Sequence, residues 1–166
     1  MTSPATPRPA QTPVPGLAKL IEQVAAQTQA SGVFGPVAVR DAALDCQAKA
    51  SAAEAFFRLS FDAGKIWVSL VTGDRWLSQS IEADLMHTGD KLEDLLGEEL
   101  ADLGYQGSTP PFEHFRSEDK LFTFRSVVPI DAAQFADAKA ADTASVFLLA
   151  YEACFRRLGD MDTTEE

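Results

Sequence analysis

Residues 53–104 constrain this chain more than any other stretch, because the hydrophobic period changes within them. Three segments, 53–61, 66–71 and 75–85, alternate as strands do, and turn residues separate them. Phe57, Leu59 and Phe61 share one face of the first, while Phe56 and Arg58 share the other. Asp62-Ala63-Gly64 reads as a three-residue hairpin connection. Ile66, Val68 and Leu70 alternate with Trp67, Ser69 and Val71. Gly73-Asp74 supplies a second turn. In the third segment Leu77, Ile81, Ala83 and Leu85 fall on one face, and Ser78, Ser80, Glu82 and Asp84 on the other; a helix over 76–86 is the competing reading. Residues 90–104 then switch to a helical stripe of Leu92, Leu95, Leu96, Leu100 and Leu103 on an acidic background.

The flanks complete the pattern. Residues 1–16 hold five of the nine prolines and read as an extended tail. Its Pro4-Ala-Thr-Pro7 matches a PxxP core only formally. Leu17, Leu20, Ile21, Val24 and Ala25 define a first helix over 17–30, entered at Pro15-Gly16 and left at Ser31-Gly32. Val37-Ala38-Val39 is a candidate short strand, and 41–50 fits helix, strand or loop. Residues 112–116 and 121–128 form a further hairpin, with Phe122, Phe124 and Val128 on one face. Asp131 caps a final helix to about residue 158. Its second half, 146–155, is apolar nearly all round, so it is either sandwiched in the fold or paired with another subunit. The domain is expected over 17–159, followed by an acidic tail at 160–166.

Size and charge narrow the function classes. A chain of 166 residues with 46% hydrophobic content can bury a core without metals or disulfides. A net charge of -11, with Arg156-Arg157 as the sole adjacent basic pair, argues against nucleic acid and against anionic membranes. It suits a partner carrying positive charge. No apolar run reaches the roughly 18 residues of a membrane span, and no secretory signal pattern opens the chain, so a cytoplasmic protein is expected. Cys46 and Cys154 are far apart and read as buried free thiols, although a disulfide is possible.

The catalytic inventory is thin. Neither His87 nor His114 has a second ligand at metal spacing, and GxSxG, phosphate-loop and GxGxxG patterns are absent. No cofactor is expected. Glu82 and Asp84, two apart on a strand, would point the same way, and with His87 they are the acid/base candidates of an enzyme reading. That reading places a small-molecule or hydrolase pocket between the sheet and the last helix. The aromatics speak for a different role. Trp67 and Trp76 flank the Gly73-Asp74 turn, and Trp67 lies opposite Ile66, Val68 and Leu70. Both tryptophans are either core residues or part of a protein contact, where Trp is enriched.

The expected architecture is α+β, an antiparallel sheet of about five strands covered by helices on one side, in the order α-β-β-β-α-β-β-α. This order resembles the type III secretion chaperone-like fold and is similar to that of the YbjN-like bacterial proteins. The resemblance rests on 57–85, on Leu92-x-x-Leu95-Leu96-x-x-x-Leu100, and on 121–128 followed by Pro129-Ile130-Asp131. The proline-rich tail and the 33–50 insert favour the YbjN-like variant over a dedicated secretion chaperone. The resemblance implies a homodimer that binds extended protein segments, with no catalytic residues and no cofactor. A non-enzymatic adaptor, chaperone-like or regulatory, is the leading expectation. Its candidate contact residues are Phe57, Trp67, Trp76 and Phe124.

Overall fold

The computed structural model describes residues 15–40, 43–49, 51–118 and 120–161. Residues 1–14, with the PxxP match, and 162–166 of the acidic tail lie outside the described residues. The elements run α1 (Leu17–Ser31), β1 (Val37–Arg40), β2 (Ala43–Gln47), β3 (Ala55–Asp62), β4 (Lys65–Thr72), α2 (Arg75–Thr88), α3 (Leu92–Asp102), β5 (Glu113–Arg116), β6 (Phe122–Val128) and α4 (Ala138–Arg156). The fold is α+β, and its strands form one antiparallel sheet in the order β1-β2-β3-β4-β6-β5.

Two expectations about element type change. The uncertain 33–49 stretch becomes the hairpin β1–β2, raising the strand count to six. The segment over 75–85, read as a strand, is helix α2. Leu77, Ile81 and Leu85 are four apart, a spacing that satisfies a period of two and a helical period alike. Asp74 breaks the tie. Its carboxylate accepts the Leu77 amide at 2.8 Å, an N-cap, and the Gly73-Asp74 pair opens a helix rather than a hairpin. The order is therefore α-β-β-β-β-α-α-β-β-α. The β3–β4 connection is also tighter than expected. Asp62 pairs with Lys65 across Ala63-Gly64, both at positive φ, as a two-residue type I′ turn requires.

The core lies between one sheet face and the helices. Leu44, Cys46, Phe57, Leu59, Ile66, Val68, Leu70, Phe124 and Val128 alternate onto that face and are buried. Helix α1 packs on β1 and β2, and α4 crosses β3, β4 and β6. Helix α4 is also flanked by α1 and α3. That arrangement accounts for its nearly all-round apolar surface. Ala140, Ala144, Phe147, Leu148, Tyr151, Cys154 and Phe155 are all spent inside the fold. The expected helix start at Asp131 is instead a short 3-10 turn at Ala132–Gln134, where the Asp131 amide donates to Gln134 Oε1, and α4 begins after Asp137. Cys46 and Cys154 are free and buried, and burial pushes both thiols up to about 12, which leaves them inert.

Candidate functional site

The second sheet face is the one on which no described helix packs, and its side chains follow from strand register. Partners across an antiparallel ladder share a face. Asp45 on β2 opposes Arg58 on β3, Arg58 opposes Ser69 on β4, Ser69 opposes Arg125 on β6, and Arg125 opposes Glu113 on β5. A single row of carboxylate, guanidinium, hydroxyl, guanidinium and carboxylate therefore crosses five strands. On one side of this row lie Gln47, Phe56, Val71, Thr123 and Phe115. Ser60, Trp67 and Val127 lie on the other.

The row is tied together. Arg58 Nε donates to Asp45 Oδ1 at 2.7 Å and Arg58 Nη2 to Oδ2 at 3.3 Å, a two-pronged pair. Arg125 Nε donates to Glu113 Oε1 at 2.9 Å, and its Nη1 is 3.7 Å from Asp62 Oδ2. The Arg125 guanidinium sits 3.7 Å from the centre of the Trp67 ring and 5.1 Å from that of Phe115, within cation–π range of both. The Trp67 indole N–H donates to the Asp62 carbonyl at 3.1 Å. Asp45, Arg58, Asp62, Trp67, Phe115 and Arg125 border a groove of about 590 Å³ that reaches from Asp45 on β2 to Phe115 at the β5 edge.

The four predicted contact residues separate in the structure. Trp67 lies on the open face, as strand alternation requires, yet it is only 8% exposed because Arg125 covers its ring. It is buried but stands apart from the helix-covered core. Trp76 is on α2 rather than beside a hairpin turn, and it is 73% exposed. Phe57 and Phe124 are core residues under the helices and offer no surface to a partner. Sequence reasoning passed over Arg125, Asp45 and Phe115. The signal was a lone charge, Arg125, in a strand whose opposite face carries Phe122, Phe124 and Val128, which marks an open face beside a packed one.

The acid/base candidates scatter as well. Strand geometry would have pointed Glu82 and Asp84 the same way; on a helix they diverge. Asp84 Oδ2 accepts the Gly159 amide at 2.9 Å, whereas Glu82 Oε2 lies 3.0 Å from His114 Nδ1. His87 is exposed near the end of α2. His114 Nε2 is 3.5 Å from Ser78 Oγ, and its ring stacks on Phe124 at 3.8 Å. Serine, histidine and carboxylate thus meet in the order of an acyl-transfer triad. Ser78 is 2% exposed, however, and the nearby helix amides are taken: Leu77 donates to the Asp74 carboxylate, and Ser78 to the Asp74 carbonyl at 3.3 Å. A substrate carbonyl therefore has no open path to Oγ. The trio joins the edge strand β5 to α2. The space between the sheet and α4 is filled by Phe57, Phe124, Tyr151 and Phe155; the groove lies across the opposite face.

No described helix is long and apolar enough to cross a membrane. Comparisons with family models, with curated proteins and with solved structures find no match.

Proposed function

We propose that this protein is a non-enzymatic cytoplasmic adaptor, chaperone-like or regulatory, which holds an extended protein segment across the open face of its sheet. One observation carries the reading. The described helices cover one face only, and the other presents a groove with Trp67 and Phe115 beside a row of arginine pairs. The groove spans the four strand spacings from β2 to β5, about 19 Å, the length of about six extended residues. Aromatic and arginine side chains are those that dominate protein contacts. The edge strand β5, with all four residues exposed, borders the groove and offers backbone groups for strand addition.

The charge of -11 supports a segment that is basic overall, and exposed Asp62 and Glu113 are placed to meet its cations. The YbjN-like kinship belongs to the same proposal, since that family binds extended segments. So does a homodimer, whose contact falls to a sheet edge because α4 is consumed within the fold. Purification of the tagged protein from its source cells, with mass spectrometry of what accompanies it, tests the reading. A stoichiometric protein partner is expected, retained by Trp76→Ala and lost from the double variant Phe115→Ala/Arg125→Ala. A partner retained by the double variant overturns the placement on the open face.

A further inference from the structure

We propose that the centre of the open face is an oxyanion site, in which Ser69, with Arg58 and Arg125 on either side, receives a carboxylate or phosphate group of the bound segment. The inference rests on the open face being the binding surface, and adds what that surface reads at its middle.

Ser69 opposes Arg58 on one neighbouring strand and Arg125 on the other. Directly opposed residues lie about 5 Å apart, so the two arginine Cα atoms are about 10 Å from each other with the serine between them. Ser69 is 4% exposed and borders the groove, and its hydroxyl has no hydrogen-bond partner among the described residues. Arg58 commits Nε and Nη2 to Asp45; Arg125 commits Nε to Glu113 and sets Nη1 near Asp62. That leaves Arg58 Nη1 and Arg125 Nη2 without an acceptor among the described residues. Three donors therefore border one cavity with nothing to donate to.

Asp45 and Glu113 balance the two guanidinium charges and fix their planes, and Trp67 holds the Arg125 plane from below. An oxyanion over Ser69 meets positive charge on both sides. A basic segment with one acidic or phosphorylated residue at its middle matches this layout, its cations meeting the exposed Asp62 and Glu113. The overall charge of -11 opposes the approach of a free anion, so an isolated ion is expected to bind on the order of a millimolar.

The test uses the full chain carrying Trp76→Phe, which leaves Trp67 as the sole tryptophan and Arg125 directly over it. Emission is followed during titration with inorganic phosphate, and separately with acetate, at ionic strength held constant with sodium chloride. A saturable change with either anion is expected, and which anion produces it assigns the group as phosphate or carboxylate. Ser69→Ala, which leaves both arginine pairs intact, should weaken binding severalfold. Removing an arginine together with its partner, Asp45→Asn/Arg58→Gln, should weaken it at least about tenfold. A response that never saturates, or one unchanged in both variants, overturns the site. Partner capture distinguishes the two levels of the argument. If the Ser69→Ala protein and its parent capture a partner equally while phosphate and acetate leave Trp67 silent, the oxyanion site falls and the open-face reading stands. Saturable phosphate binding with no partner captured supports the site and removes the segment.

Discussion

Trp67 and Trp76 look equivalent in the sequence and are opposites in the structure. Trp67 is held in three ways at once: its N–H by the Asp62 carbonyl, its ring face by Arg125, and its backbone by strand pairing. Truncating it strips cover from a nearly buried site, so Trp67→Ala should cost about 3 kcal/mol of stability in chemical denaturation. Trp76→Ala should stay within about 0.5 kcal/mol, because that ring touches mainly solvent. Equal losses in the two variants would contradict this assignment. Strand alternation made the face of Trp67 legible, since Ile66, Val68 and Leu70 are apolar on the other side. Its burial was not legible, because it depends on Arg125, 58 residues further along the chain and brought alongside only by the β4–β6 pairing. Phe57 and Phe124 show the converse. Their alternation was read correctly, but which face the helices would take is decided by the summed apolar area of every strand.

Helix α2 is where local reading failed, and the reason is specific. Its apolar positions 77, 81 and 85 fit two periods, and the deciding information sits in the Asp74 side chain rather than in the pattern. Asp74→Ala should therefore destabilise the protein by about 1 kcal/mol, a loss measurable by urea denaturation. The contact between this helix and β5 carries a pH dependence. Burial lowers the His114 pKa below its ordinary 6.5, only partly opposed by the charge of Glu82. Below 6.5 the unfolded chain binds the His114 proton more readily than the folded one, so stability should fall as pH drops through the interval just under 6.5. His114→Gln should flatten the difference in denaturation midpoint across that interval. A midpoint that rises on acidification in the unaltered chain, and not in His114→Gln, would reverse the sign argued here.

Among the described residues, the sheet has one face covered by helices and one face on which no helix packs. The α+β class, the antiparallel pairing and the one-sided cover were legible because strands 53–71 and 121–128 alternate cleanly and the terminal helices are strongly apolar. The extra hairpin β1–β2 was not, since strands of only four and five residues carry little periodic signal. The groove was illegible for a further reason. Its row of Asp45, Arg58, Ser69, Arg125 and Glu113 draws one residue from each of five strands and exists only once their register is set. This is the feature on which the functional account depends, and it can be probed inside the source cell without knowing the partner. A photo-crosslinking amino acid is placed at Phe115, 37% exposed on the rim of the groove, and separately at Met86, 84% exposed on α2. A discrete protein adduct is expected from position 115 and none from position 86. An adduct from position 86 with none from 115 would move the binding surface to the helices and contradict the central claim.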